Sequence, residues 1–95
     1  MTIAELIAIA SVRSGKKQKE LAEEMGHKDA TRLSKLSSGR LAADASEIIY
    51  LAQNADLPAV ETLAEFESER RPELAGVWTA LMRNAAQAGQ AWRKR

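Results

Sequence analysis

The segment from Lys17 to Gly39, KQKELAEEMGHKDATRLSKLSSG, gathers the side chains best suited to contact with a polyanion. Gln18, Thr31, Arg32, Ser34 and Lys35 supply amide, hydroxyl and cationic donors within that stretch. Donors of these kinds read base edges: Arg or Lys pairs with guanine O6/N7, and Thr offers a hydroxyl to a base and a methyl to thymine. Lys16, Lys17, Lys28 and Arg40 add point charges for phosphates. Covalent chemistry has no comparable set. His27 is the one histidine, cysteine is absent, and no glycine-rich phosphate cradle is present. A metal site or a Cys–His nucleophile therefore lacks its ligands and partners. Glu20, Glu23, Glu24, Glu61 and Glu65 fall on helical faces where carboxylates ordinarily only solvate. The expectation is a binding protein and not an enzyme, with no cofactor, no metal and no small-molecule ligand. His27 is expected as a turn residue facing solvent or phosphate.

The elements that must position these side chains are helical. Leu21 and Ala22 precede Gly26, and Leu33 and Leu36 follow it. This order predicts two short helices crossing at an apolar contact, the first stopped by a glycine. The first of the pair is expected over Lys17–Met25, with Gly26 as a left-handed stop. The second takes Asp29 as its N-cap and runs through Ser37, its inward positions Leu33 and Leu36. Ala30, Thr31, Ser34 and Lys35 then face outward. Ahead of the pair, Thr2 and Glu5 have capping-box spacing and start a helix that buries Ile3, Leu6, Ile7 and Ala10 and ends at Ser14-Gly15. Behind it, Asp44 and Glu47 repeat the box and open a helix with Ile48, Leu51, Ala52 and Ala55 inward. Pro58 is placed in the first turn of a fifth helix. There Val60, Leu63 and Ala64 are the inward candidates, with the end near Phe66 or Glu67. Pro72 marks a further start, and Leu74, Val77, Trp78, Leu81, Met82 and Ala85 then hold helical spacing over three turns.

This order resembles the lambda-repressor-like helix-turn-helix regulators, the Cro/C1 or XRE-type family, many small members of which are phage- or prophage-related. The residues that carry the resemblance are Gln18, Leu21, Ala22 and Gly26, then Leu33, Ser34, Leu36 and Gly39. They are similar to the family's Q-x-x-L-A opening, its glycine stop, the apolar–serine pair of its recognition helix and its glycine exit. The likeness covers residues 3–66. It departs at Lys17, where a small hydroxyl is usual, and in a turn one residue longer than the commonest. The resemblance implies an all-α five-helix domain over residues 1–70; outside it, Pro72 and the helical spacing that follows add a C-terminal helix over residues 71–95. The resemblance also implies a transcriptional regulator, a repressor holding a short palindromic operator in double-stranded DNA, with its own promoter among the expected targets. Lys17, Gln18, Lys28, Ala30, Thr31, Arg32, Ser34, Lys35 and Arg40 are the candidate DNA contacts, with Gln18 similar to the family's backbone-clamping glutamine.

One such unit covers only a short half-site, which favours a homodimer reading two half-sites about one helical turn apart. Leu74, Val77, Trp78, Leu81, Met82 and Trp92 are its candidate interface, and the same stripe serves equally to close the monomer's own core. The other reading is an antitoxin-like or other protein-binding module. Its partner protein would be held by the acidic segment and the C-terminal helix.

Bulk properties fit either reading. Net charge is only +1, but residues 13–40 carry eight Lys/Arg against four Asp/Glu, and residues 41–71 carry two against seven. Residues 72–95 return to four against one, so the field is oriented although the total is near zero. Hydrophobic residues make up 45% but aromatics only 4%, so the core must be built from Leu, Ile and Ala. No run approaches the roughly 18 apolar residues of a membrane span. The opening MTIAELIAIASVRSG lacks a basic stretch before its apolar residues, so no signal peptide and a cytoplasmic location are expected.

Overall fold

A computed structural model describes the backbone of residues 1–93 and the side chains of residues 1–84. The Thr2 hydroxyl oxygen accepts a hydrogen bond from the Glu5 amide at 3.1 Å, and the Thr2 amide donates one to the Glu5 carboxylate at 3.2 Å. That box starts α1 (Ile3–Ser14). The helices α2 (Gln18–Glu24), α3 (Thr31–Ser37), α4 (Ala45–Asn54) and α5 (Ala59–Arg70) follow. A 3-10 turn over Pro72–Leu74 leads into α6 (Ala75–Arg93). The described residues contain no strand, so the chain is all-α. None of their helices is long and apolar enough to cross a membrane.

Three helices stop in the same way. The His27 amide donates to the Ala22 carbonyl at 2.9 Å and the Gly26 amide to Glu23 at 3.0 Å. The Arg40 amide reaches Lys35 at 3.0 Å and the Gly39 amide reaches Leu36 at 3.2 Å. These paired bonds are Schellman stops, and they need a left-handed residue at the pivot. Gly26 (φ +89°) and Gly39 (φ +81°) supply it, which fixes both ends of the α2–α3 unit. At the end of α4 the pivot is Asp56, at φ +57°, with the Leu57 amide on the Ala52 carbonyl at 2.9 Å.

The core joins α1 to α5. Leu6, Ile7, Leu21, Leu33, Leu36, Ile48 and Leu51 are all fully buried, each worth about 1.5–3 kcal/mol of transfer from water. Ala10, Ala22 and Ala55 fill the close approaches between them, and Met25, Leu63 and Phe66 pack on the edge. Among the described residues α6 touches only α5 and the 3-10 turn, so it lies on the outside of this core.

Several expectations need correcting. Val60 is 55% exposed, and Thr62 occupies the buried face of α5 in its place, its hydroxyl satisfied by the Pro58 carbonyl at 2.7 Å. Pro58 is the N-cap and not a first-turn residue, and α5 runs on to Arg70, beyond the Phe66–Glu67 end. The Arg70 guanidinium donates to the Ala43 carbonyl at 2.8 Å, which ties that extra turn to the loop before α4. Asp29 is one residue outside the boundary. Ala30 caps α3, while Asp29 accepts from the Thr31 amide at 2.9 Å, and Thr31 thereby holds its carboxyl below the usual range.

Candidate nucleic-acid interface

On α3 the apolar residues Leu33 and Leu36 point into the core, and the opposite face carries Thr31, Ser34 and Lys35, continued by the C-cap Ser38, all exposed. Positions i, i+3, i+4 and i+7 lie on one side of a helix, so these four side chains form a single polar strip. Lys17, Gln18, Lys28 and Arg40 are also exposed, and Lys17, Lys28, Lys35 and Arg40 make no ion pair among the described residues. Ala30, expected to face outward, is half-buried at the start of α3. Lys17 has no acceptor with which to cap α2. The Glu20 carboxylate instead accepts from the Lys17 amide at 3.4 Å.

Arg32 departs furthest from expectation. Its guanidinium grips Glu47 with two bonds, Nε to Oε2 at 2.7 Å and Nη2 to Oε1 at 2.6 Å. Glu47 also accepts from the Asp44 amide at 3.1 Å and closes the capping box of α4. The Glu47 side chain is only 6% exposed, and the Arg32 hydrogen bonds outweigh its burial, holding its carboxyl down at about 2. The same bonds raise the Arg32 pKa. His27 is drawn in as well and is not the exposed turn residue expected. Its Nε2 lies 3.4 Å from Glu47 Oε2, without hydrogen-bond geometry. A single carboxylate thus ties α3 to the start of α4, with the turn residue His27 lying beside it. Arg32 is a clamp on that arrangement in place of an outward contact.

A second network holds the other side of α2. Lys16 Nζ donates to Glu24 at 2.8 Å and to the Asn54 side-chain oxygen at 3.0 Å, and the Tyr50 hydroxyl donates to the same Glu24 carboxylate. These two donors lower the Glu24 pKa, and burial followed by the facing carboxylate raises that of Tyr50. Arg13 reaches the Ala55 carbonyl at 2.8 Å, at the end of α4 where a cation complements the helix dipole. Arg13, Lys16 and Arg32 are therefore occupied internally. Nothing in their own sequence positions separated them from the free cations: the Ala55 and Glu47 partners of Arg13 and Arg32 lie 42 and 15 residues away, and Lys16 is held by Glu24, 8 residues on, together with Asn54, 38 residues on. Glu47 was legible as a capping residue, though not as the buried centre of this cluster.

The candidate dimer stripe is divided by the fold. Leu74, Trp78 and Met82 are half-buried, and Met82 shares a groove with Ala64 of α5. Val77 and Leu81 are 55% and 51% exposed and do not close the monomer core. The Trp92 side chain lies outside the described residues. No cluster of metal-ligating side chains occurs among the described residues. No protein-family model, curated protein or solved structure matches the chain.

Proposed function

We propose that this chain is a sequence-specific DNA-binding transcriptional regulator of the lambda-repressor-like helix-turn-helix class, a repressor occupying a short palindromic operator as a homodimer. The observation that carries the reading is the exposed strip Thr31, Ser34, Lys35 and Ser38 on α3, backed by Leu33 and Leu36 and held at a set angle by the Arg32–Glu47 clamp. In this reading α3 is the recognition helix and enters the major groove, with its first residues nearest the base edges. Thr31 supplies a hydroxyl and a methyl, Ser34 a hydroxyl, and Lys35 a cation for guanine or phosphate. Lys17, Gln18, Lys28 and Arg40 flank the strip and contact the phosphate backbone.

The clamp explains how so small a protein achieves register. A bidentate Arg–carboxylate pair fixes direction as well as distance, so α3 meets the groove pre-oriented. The test is selection of bound duplexes from a random pool. Enrichment of one motif in two inverted copies, about one helical turn apart, supports the proposal; recovery of no motif refutes it. A repressor of its own promoter should recover that motif upstream of its own gene.

A further inference from the structure

Along one flank of α6 runs an open groove of about 500 Å³ that the monomer leaves unfilled. Its floor is apolar, from Ala64 of α5 and Met82 of α6. Glu61 and Glu65 form the α5 wall and Arg83 stands on the other. Glu61 makes no ion pair among the described residues, and Glu65 meets only the Met1 ammonium, at 3.2 Å. A fitting occupant has an apolar plate for the floor and cations for the α5 wall. The sequence contains one such run, Trp92-Arg93-Lys94-Arg95.

A chain cannot seat its own run in its own groove. α6 continues unbroken to Arg93, and ten residues of helix carry position 92 about 15 Å along the axis beyond Met82. A second copy can. Two α6 helices crossing antiparallel about Gln87 bring position 92 of each beside Met82 of the other. The residues at that centre are Ala85, Ala86, Ala88 and Gly89, small enough to let two helix backbones approach closely. We infer that the α5–α6 groove is the receptor for the Trp92–Arg95 segment of a second copy, making a reciprocal dimer with Trp92 as its anchor. The inference rests on the homodimer of the proposed function and supplies its surface.

The test is sedimentation of the full chain without DNA, over about 1–100 µM, where weak self-association of this kind is resolved. Trp92→Ala should weaken the dimer by about tenfold or more, because a buried aromatic anchor dominates such contacts. Glu61→Lys with Glu65→Lys, and Arg93→Glu with Lys94→Glu, should each weaken it several-fold. All four charge reversals in one chain should restore it, an outcome that general loss of folding cannot produce. A dimer indifferent to all of these variants overturns the groove assignment and leaves the dimer standing. A monomer throughout the range overturns both, while DNA selection tests the regulator separately.

Discussion

Replacing Glu47 by Gln should test the physical centre of the structure. Gln keeps the shape of the side chain and an oxygen for the Asp44 amide, but removes the charge held by Arg32. The folded carboxyl titrates at about 2 against an ordinary 4.5. A depression of that size corresponds to about 3 kcal/mol in favour of the folded state. The carboxylate is 6% exposed but its guanidinium partner is 32% exposed, so solvent screening trims the expected loss to about 2–3 kcal/mol. Urea denaturation followed by circular dichroism gives the difference directly. Because the folded pKa is depressed, the stabilisation is complete above about pH 5 and fades as pH falls toward 2. The gap between wild type and Glu47→Gln should therefore close on acidification, since the protonated acid and the amide are near equivalents. A gap under about 0.5 kcal/mol at pH 7 would refute the clamp, as would one of constant size from pH 7 to pH 3.

Four further substitutions probe the elements around it. Asp56→Gly should stabilise by about 0.5–1 kcal/mol, since it relieves a left-handed residue and removes a negative charge from the carbonyl end of α4, and thermal unfolding should move upward accordingly. Gly26→Ala and Gly39→Ala should each cost about 1 kcal/mol from backbone strain alone, because a Cβ at either position meets nothing within 4 Å; a midpoint drop of about 4–8 °C is the expected signature. Leu36→Ala opens a cavity under α3 in a fully buried position and should cost about 2–5 kcal/mol in the same denaturation assay.

The local grammar of the chain was readable without coordinates. Thr2–Glu5 and Asp44–Glu47 announced two helix starts, Gly26 and Gly39 two stops, and Leu6, Ile7, Leu33, Leu36, Ile48 and Leu51 the core, because each of these signals acts within one or two turns. The choice between Val60 and Thr62 on α5 was not readable. A hydroxyl can satisfy itself on the carbonyl four residues back and then bury, which leaves the valine outside. Nor was the sorting of the basic residues. Arg13, Lys16 and Arg32 differ from Lys17, Lys28 and Lys35 only in what the fold brings beside them. The same long-range limit applies to α6, where one face meets α5 and another does not.

The most direct test of the regulator reading is footprinting of the DNA upstream of the protein's own gene, at two salt concentrations. Wild type would be compared with a Thr31→Ala, Lys35→Ala double variant. Both side chains are exposed and outside the core, so the variant should keep wild-type stability within about 0.5 kcal/mol. The account predicts a discrete protected site with two related half-sites, weakened steeply by salt and lost by about tenfold or more in the variant. Protection without sequence preference, or a footprint unchanged by the double substitution, would contradict it. The function would then pass to a protein partner held by the acidic segment and α6.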